Sequence, residues 1–239
     1  MRPLVRKFAA SMLLLLAIPA AASAQILTFE GVNSTHPTPN DYATVGGFYN
    51  GGVSGDGTSG TNYGISFTTN ALGICLNTPG ALCPNTSRGG LGDPNSARTG
   101  LFWLAGTETF MNVSAGFTGG FSFLYSAVNQ GGNVTVWDDV NGSGNLLTTL
   151  VLGVTPSTCD VGIYQAAFCS FVAAGSTFVG TAKSVAWGGV ANQIVFDDVT
   201  LGSDVPGNPG DVVPEPATMT LLATGLAGMA ASRRKRRSA

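Results

Sequence analysis

Between residues 26 and 201 the apolar positions fall in short runs rich in Val, Phe, Thr and Tyr, cut by Gly and Asn, and no segment shows a helical period. The pattern predicts nine strands, at 26–32, 63–68, 100–104, 109–115, 120–127, 133–138, 146–154, 178–187 and 193–201. In 120–127 strict alternation sets Phe121, Phe123 and Tyr125 on one face, the expected core side, with Ser122 and Ser126 opposite. A core packed from such rings is a better reading of this ladder than a sugar-stacking platform. About nine strands suit a single all-β domain, a jelly-roll-like β-sandwich over 25–202. Residues 203–213, rich in Gly, Pro and Asp, read as a linker.

Hydrophobicity of a different kind occupies the two ends. Arg2, Arg6 and Lys7 precede a mostly apolar run from Phe8 to Ala22, and Ala22-Ser23-Ala24 is a small-x-small cleavage site, so 1–24 is expected to be a secretory signal peptide. Near the other end, Pro214-Glu215-Pro216 leads directly into an apolar stretch at 217–232, which stops at Arg233, Arg234, Lys235, Arg236 and Arg237. Fifteen apolar residues make a helix of roughly 22 Å, short of a ~30 Å hydrocarbon core, and snorkelling arginines extend its reach. Such a helix just spans a membrane, and the basic cluster holds its far end in the cytoplasm.

This three-part ending over 214–239 resembles the PEP-CTERM sorting signal of Gram-negative bacteria, in which a Pro-Glu-Pro motif, a short transmembrane helix and an arginine cluster are recognised by an exosortase. The family triplet falls on Pro214, Glu215 and Pro216. The resemblance implies an exported protein, held in the inner membrane by its C-terminal helix until processing and then delivered to the cell surface, outer envelope or extracellular matrix, in association with exopolysaccharide. Leu27-Thr28-Phe29-Glu30-Gly31, Tyr63-Gly64-Ile65-Ser66-Phe67, Val134-Thr135-Val136-Trp137-Asp138 and Ile194-Val195-Phe196-Asp197-Asp198 also resemble exported PEP-CTERM ectodomains and the jelly rolls of carbohydrate-binding modules. A sugar-binding role would rest on that analogy alone.

Setting the ends aside changes the charge. The chain as a whole is at −2, but eight of its eleven basic residues lie in the two targeting segments, leaving Arg88, Arg98 and Lys183 against twelve acids in 25–213. An ectodomain near −9 has no basic patch with which to displace counterions, so nucleic acid is excluded as a partner. A divalent cation is compatible with it.

Four cysteines, Cys75, Cys83, Cys159 and Cys169, form two near pairs without a Cys-x-x-Cys spacing. Three connectivities exist; Cys75 with Cys83 and Cys159 with Cys169 is favoured because short loops close most readily, and each bridge would contribute about 2–3 kcal/mol. Catalysis has little footing. The one histidine, His36, sits among Ser, Thr and Pro, and no nucleophile motif is present. Glu108 with Asp138 or Asp139 is a conceivable acid–base pair for a glycan-cleaving enzyme, with nothing in the spacing to favour it. The chain is therefore expected not to be an enzyme.

Metal has a better case. Asp139-Val140-Asn141-Gly142-Ser143-Gly144 matches the start of an EF-hand loop, but Leu150 stands where the bidentate Glu belongs, and a hairpin turn between strands ending at Trp137 and beginning at Leu146 is the simpler reading. In 193–201, alternation puts Asp197 on one face with Val195, Val199 and Leu201, where an ionised carboxylate needs a partner. The resemblance to carbohydrate-binding jelly rolls implies a structural calcium held by acids of the first and last strands, here Glu30 with Asp197 or Asp198. Two other outcomes stay open: a bulge that turns Asp197 to solvent, or an Asp side chain bonded to neighbouring backbone amides.

Overall fold

In a computed structural model of the chain, the described residues are 25–33, 42–76, 99–155, 168 and 171–207. The predicted signal peptide, the tail from 208 onward, His36, Cys83, Cys159 and Cys169 lie outside them. Among the described residues there are ten strands: β1 Gln25–Leu27, β2 Tyr42–Thr44, β3 Ile65–Phe67, β4 Leu72–Cys75, β5 Thr99–Phe102, β6 Glu108–Ala127, β7 Gly132–Trp137, β8 Leu146–Leu152, β9 Val172–Gly189 and β10 Ile194–Leu201. All pairings are antiparallel, in the order β2-β4-β5-β10-β6-β9-β7-β8, with β1 also on β10 and β3 also on β6. The all-β class expected from the pattern holds, as one continuous sheet.

That sheet folds over on itself because β6 and β9 bend together. Their pairing slips between Asn112 and Phe117 and again between Phe117 and Gly119, where Gly116, Gly119 and Gly180 adopt positive φ angles of 78°, 91° and 107°. Bulges of this kind bend a strand and raise its twist. Before the bend β6 pairs with β3; beyond it β6 pairs with β10. The two arms then face each other across a common core. Trp187, from the arm carrying β7, meets Phe121 at 5.5 Å, Phe123 at 5.3 Å and Phe196 at 4.5 Å from the other arm. Phe121, Phe123 and Tyr125 are buried there, as alternation predicts.

β10 is the axis of the domain, and every one of its residues is buried. Ile194 and Phe196 point into the main core, whereas Val195 joins Ile74, Leu76, Phe102 and Phe168 in a second, smaller cluster. Both faces of β10 are thus covered, and Ser122 and Ser126 on its neighbour β6 are buried too.

Several expectations are corrected. Residues 109–115 and 120–127 belong to one strand, since the glycines between them bend the backbone without ending its pairing. β9 begins at Val172, not at 178, because pairing with β6 holds Val172-Ala173-Ala174-Gly175 in a strand that its small side chains do not announce. The pattern missed β2 and β4, which are three and four residues long and too short for alternation to register. β1 stops at Leu27, short of the expected residue 32, because Phe29 takes φ 58°.

Candidate functional site

The junction of the first and last strands holds two of the four non-glycine residues with positive φ among the described residues, Phe29 and Asp198. Leu27 lies opposite Val199 and Phe196 opposite Leu101, so β1 and β5 share one edge of β10 and the gap between them falls at Asp197 and Asp198. Across the other edge the register slips, with Asp197 opposite Leu124 but Thr200 opposite Ser122. The additional residue is taken up by Asp198 at φ 45°, a left-handed conformation that Asp tolerates better than most side chains. Continuing the β1 register places Phe29, at φ 58°, beside Asp197. Two non-glycine residues in the left-handed region therefore sit close together, and such strain persists only where the surroundings over-determine it.

Hydrogen bonds supply that determination. The Phe29 N–H donates to Tyr49 Oη at 2.8 Å, the Asp198 N–H to Asp197 Oδ1 at 2.8 Å, and Thr200 Oγ1 to the Asp198 carbonyl at 2.9 Å. Glu30 Oε1 accepts from the Thr99 N–H at 2.8 Å, which pins the exit of β1 to the start of β5. Burial raises the Tyr49 phenol far above its ordinary range; the Phe29 N–H opposes this, and the charge of Asp197, then Tyr63 and Glu30, reinforces it. At neutral pH Tyr49 is an uncharged phenol close to Asp197 and Glu30.

For the acids themselves the alternation argument is corrected. The bulge at Asp198 returns Val199 and Leu201 to the main core with Ile194 and Phe196, so they do not share a face with Val195. Asp197 is nonetheless fully buried and is not turned to solvent. Glu30, Asp197 and Asp198 do meet at one junction, but one oxygen of Glu30 and one of Asp197 are committed to backbone N–H groups. Among the described residues no group of three His, Cys, Asp or Glu converges so as to hold a metal ion. Calcium at this junction would have to draw on the remaining carboxylate oxygens and on backbone carbonyls.

A cleft of about 260 Å³ opens beside the junction, between the exit of β1 and the loop joining β2 to β3. Thr28 and Glu30 line one wall; Tyr49, Ser59, Thr61 and Tyr63 line the other. Sequence reasoning did not find it. The density of glycine at 46–64 was the available signal.

The other proposed sites resolve simply. β7 ends at Trp137 and β8 begins at Leu146, as the hairpin reading requires, and 139–144 forms a 3-10 turn at Val140–Gly142 capped by Asp139, whose Oδ1 accepts from Val140 N. Asn112 bonds Asn141 twice, at 2.7 and 2.8 Å, and Ser184 Oγ accepts from the Gly142 N–H and donates to the Asp139 carbonyl, so the loop oxygens serve the turn. Asp138 accepts from both the side chain and the backbone N–H of Asn145, which holds its carboxyl below the usual range. Glu108 faces Gly188 on β9, whereas Asp138 follows Trp137, which faces Ser184; that offset of five residues is about 17 Å along the strands. Paired glycosidase carboxylates stand roughly 5–9.5 Å apart. Cys75, at the end of β4, is buried and disulfide-bonded, and its partner lies outside the described residues.

Among the described residues no helix is long and apolar enough to cross a membrane, and the expected helix at 217–232 lies outside them. No curated protein and no solved structure matches the chain. A family model described as the PEP-CTERM protein-sorting motif matches residues 212–237, a stretch that takes in Pro214, Glu215, Pro216 and the whole cluster from Arg233 to Arg237. The chain carries a PEP-CTERM protein-sorting motif at its C-terminal end.

Proposed function

We propose that this is an exported, exosortase-processed protein of the cell surface, outer envelope or extracellular matrix, whose β-domain is non-catalytic and works in association with exopolysaccharide. The match at 212–237 carries the reading, because motif, apolar run and basic cluster stand in the order expected of a chain whose Glu215 meets the enzyme at the outward-facing side of the inner membrane. Exosortase is then the first partner, and the membrane holds the chain through 217–232 until processing. The signal peptide at 1–24 supplies export. A folded sheet packed in two layers in a jelly-roll-like manner suits a passive, durable surface module. The wide separation of Glu108 from Asp138 supports a role without glycan cleavage. A second reading, a carbohydrate-binding module of the envelope, is favoured by the cleft at the β1 exit. Glu215→Ala, or loss of Arg233 to Arg237, is expected to leave unprocessed protein in the inner membrane. Mass spectrometry of the surface-exposed protein decides the matter: a mature chain still ending at Ala239 would overturn the sorting proposal.

A further inference from the structure

Residues 46–64 form a stretch of 19 residues without a strand. Loops longer than about 12–15 residues are uncommon in compact domains unless they serve a function. This one is built as a fixed object. Gly52 N donates to Gly47 O at 3.0 Å, Ser54 N to Thr58 O at 2.8 Å and Tyr63 N to Tyr49 O at 2.9 Å, while Thr58 Oγ1 reaches across to the Gly31 carbonyl at 2.6 Å. Gly60 lies against the Phe48 ring so closely that a Cβ there would collide with it.

Such rigidity fixes two rings. Tyr49 is buried, meets Phe48 edge-on at 4.9 Å, and is tied through its phenol to the Phe29 N–H. Tyr63, half-buried, stacks on Tyr49 at 6.0 Å with 24° between the planes. It therefore sits at the cleft as a ring supported from behind. Around it the wall is hydroxylic, with Thr28, Ser59 and Thr61, and carries one carboxylate, Glu30.

We propose that this cleft binds one ring of a neutral, hydroxyl-rich glycan, with Tyr63 as the stacking surface and Ser59 and Thr61 as hydrogen-bonding partners. An aromatic face is electron-rich and attracts the polarised C–H groups of a pyranose, while hydroxyls exchange donors and acceptors with its rim. Its size agrees, since about 260 Å³ lies just below the ~300–1,000 Å³ that hold drug-sized ligands. Charge narrows the class further. Glu30 lines the cleft and Asp197 acts on Tyr49 behind it, so an acidic sugar would meet like charge. The inference rests on the exopolysaccharide reading above and names the site that reading lacks.

The test titrates the processed, exported protein with trisaccharides of glucose, mannose, galactose and N-acetylglucosamine, and with trigalacturonate, by calorimetry and saturation-transfer NMR. A neutral probe should bind saturably, and Tyr63→Ala should weaken it at least ~10-fold. The double variant Ser59→Ala, Thr61→Ala changes only exposed positions and should weaken binding with an unchanged thermal midpoint. Equal affinity in both variants, preference for trigalacturonate, or no binding across the panel would each overturn the site. Co-sedimentation with the host exopolysaccharide separates the two levels. If both variants sediment as wild type does, the cleft inference fails and the association stands; if wild type binds a probe but never sediments, the association fails and the cleft stands.

Discussion

Replacing Tyr49 by Phe removes one oxygen from the β1–β10 junction and leaves every ring contact in place. What is lost is the acceptor for the Phe29 N–H, which is 2.8 Å away on a residue with no solvent exposure. A buried donor stripped of its partner costs about 1–3 kcal/mol. The rings of Phe48, Phe29, Tyr63 and Phe67 still surround an isosteric side chain, so packing offers no offsetting loss or gain. For a domain of this size each kcal/mol moves the thermal midpoint by about 2–4 °C, so Y49F should melt about 2–12 °C lower at neutral pH. A second signature separates loss of this buried phenol from generic damage. Folding raises the Tyr49 phenol above its ordinary 10.0, so the folded state keeps a proton that the unfolded chain releases. Its contribution is complete below pH 10 and declines above it by about 1.4 kcal/mol per pH unit as the pH climbs toward the folded value. Urea titrations at pH 7 and between pH 9 and 11.5 read both effects, and the variant should show a shallower alkaline decline. Equal midpoints at pH 7, or parallel alkaline curves, would refute the account of the junction.

Asp138 should titrate below its ordinary 3.8 by NMR, because bonds from the Asn145 side chain and backbone favour the carboxylate; Asn145→Ala should raise it. A depressed carboxyl favours the folded state above the unfolded value and loses that effect as pH falls through the folded one, so an unmoved titration in the variant would remove the Asn145 side chain as the main cause. Non-reducing peptide mapping should link Cys75 to Cys83 and Cys159 to Cys169, and a Cys75–Cys159 or Cys75–Cys169 peptide would overturn that pairing. The calcium proposal for Glu30, Asp197 and Asp198 predicts a higher thermal midpoint in millimolar calcium than in EDTA, since a ligand of the native state alone must stabilise it. No difference, or the same shift in a Glu30→Ala, Asp197→Ala double variant, removes the site.

The strands that could be read in advance are those whose burial is one-sided and long enough to repeat. β7, with Val134 and Val136 inward between exposed or half-buried neighbours, and β8, ending in Leu150 and Leu152, advertise themselves in this way. The hairpin between them was legible because Asn141 and Gly142 are the residues that accept positive φ. β9 shows the opposite case. Its first ten residues are mostly Ala, Gly, Ser and Thr around Phe178, with Val172 and Val179 exposed, and long-range pairing with β6 makes them a strand, as tertiary context often does.

The site was half legible for a related reason. That Glu30 belongs with Asp197 or Asp198 is implied by the resemblance to carbohydrate-binding jelly rolls, and antiparallel pairing of β1 with β10 carries the chain after Leu27 toward Asp197. The geometry between them could not be read that way, because it depends on a one-residue slip. A bulge flips every later side chain to the opposite face, so alternation read from Val195 onward is wrong from Asp198 and correct again only in the shifted frame. Nor does Phe carry any signature of a left-handed backbone, and the Tyr49 hydroxyl that sustains Phe29 is twenty residues away. Stability at this junction therefore depends on the glycine-rich loop that delivers Tyr49, and the same loop delivers Tyr63 to the cleft. Fold and proposed ligand site share a single support, so changes that loosen 46–64 should cost stability and binding together, whereas changes confined to the exposed hydroxyls of Ser59 and Thr61 should cost binding alone.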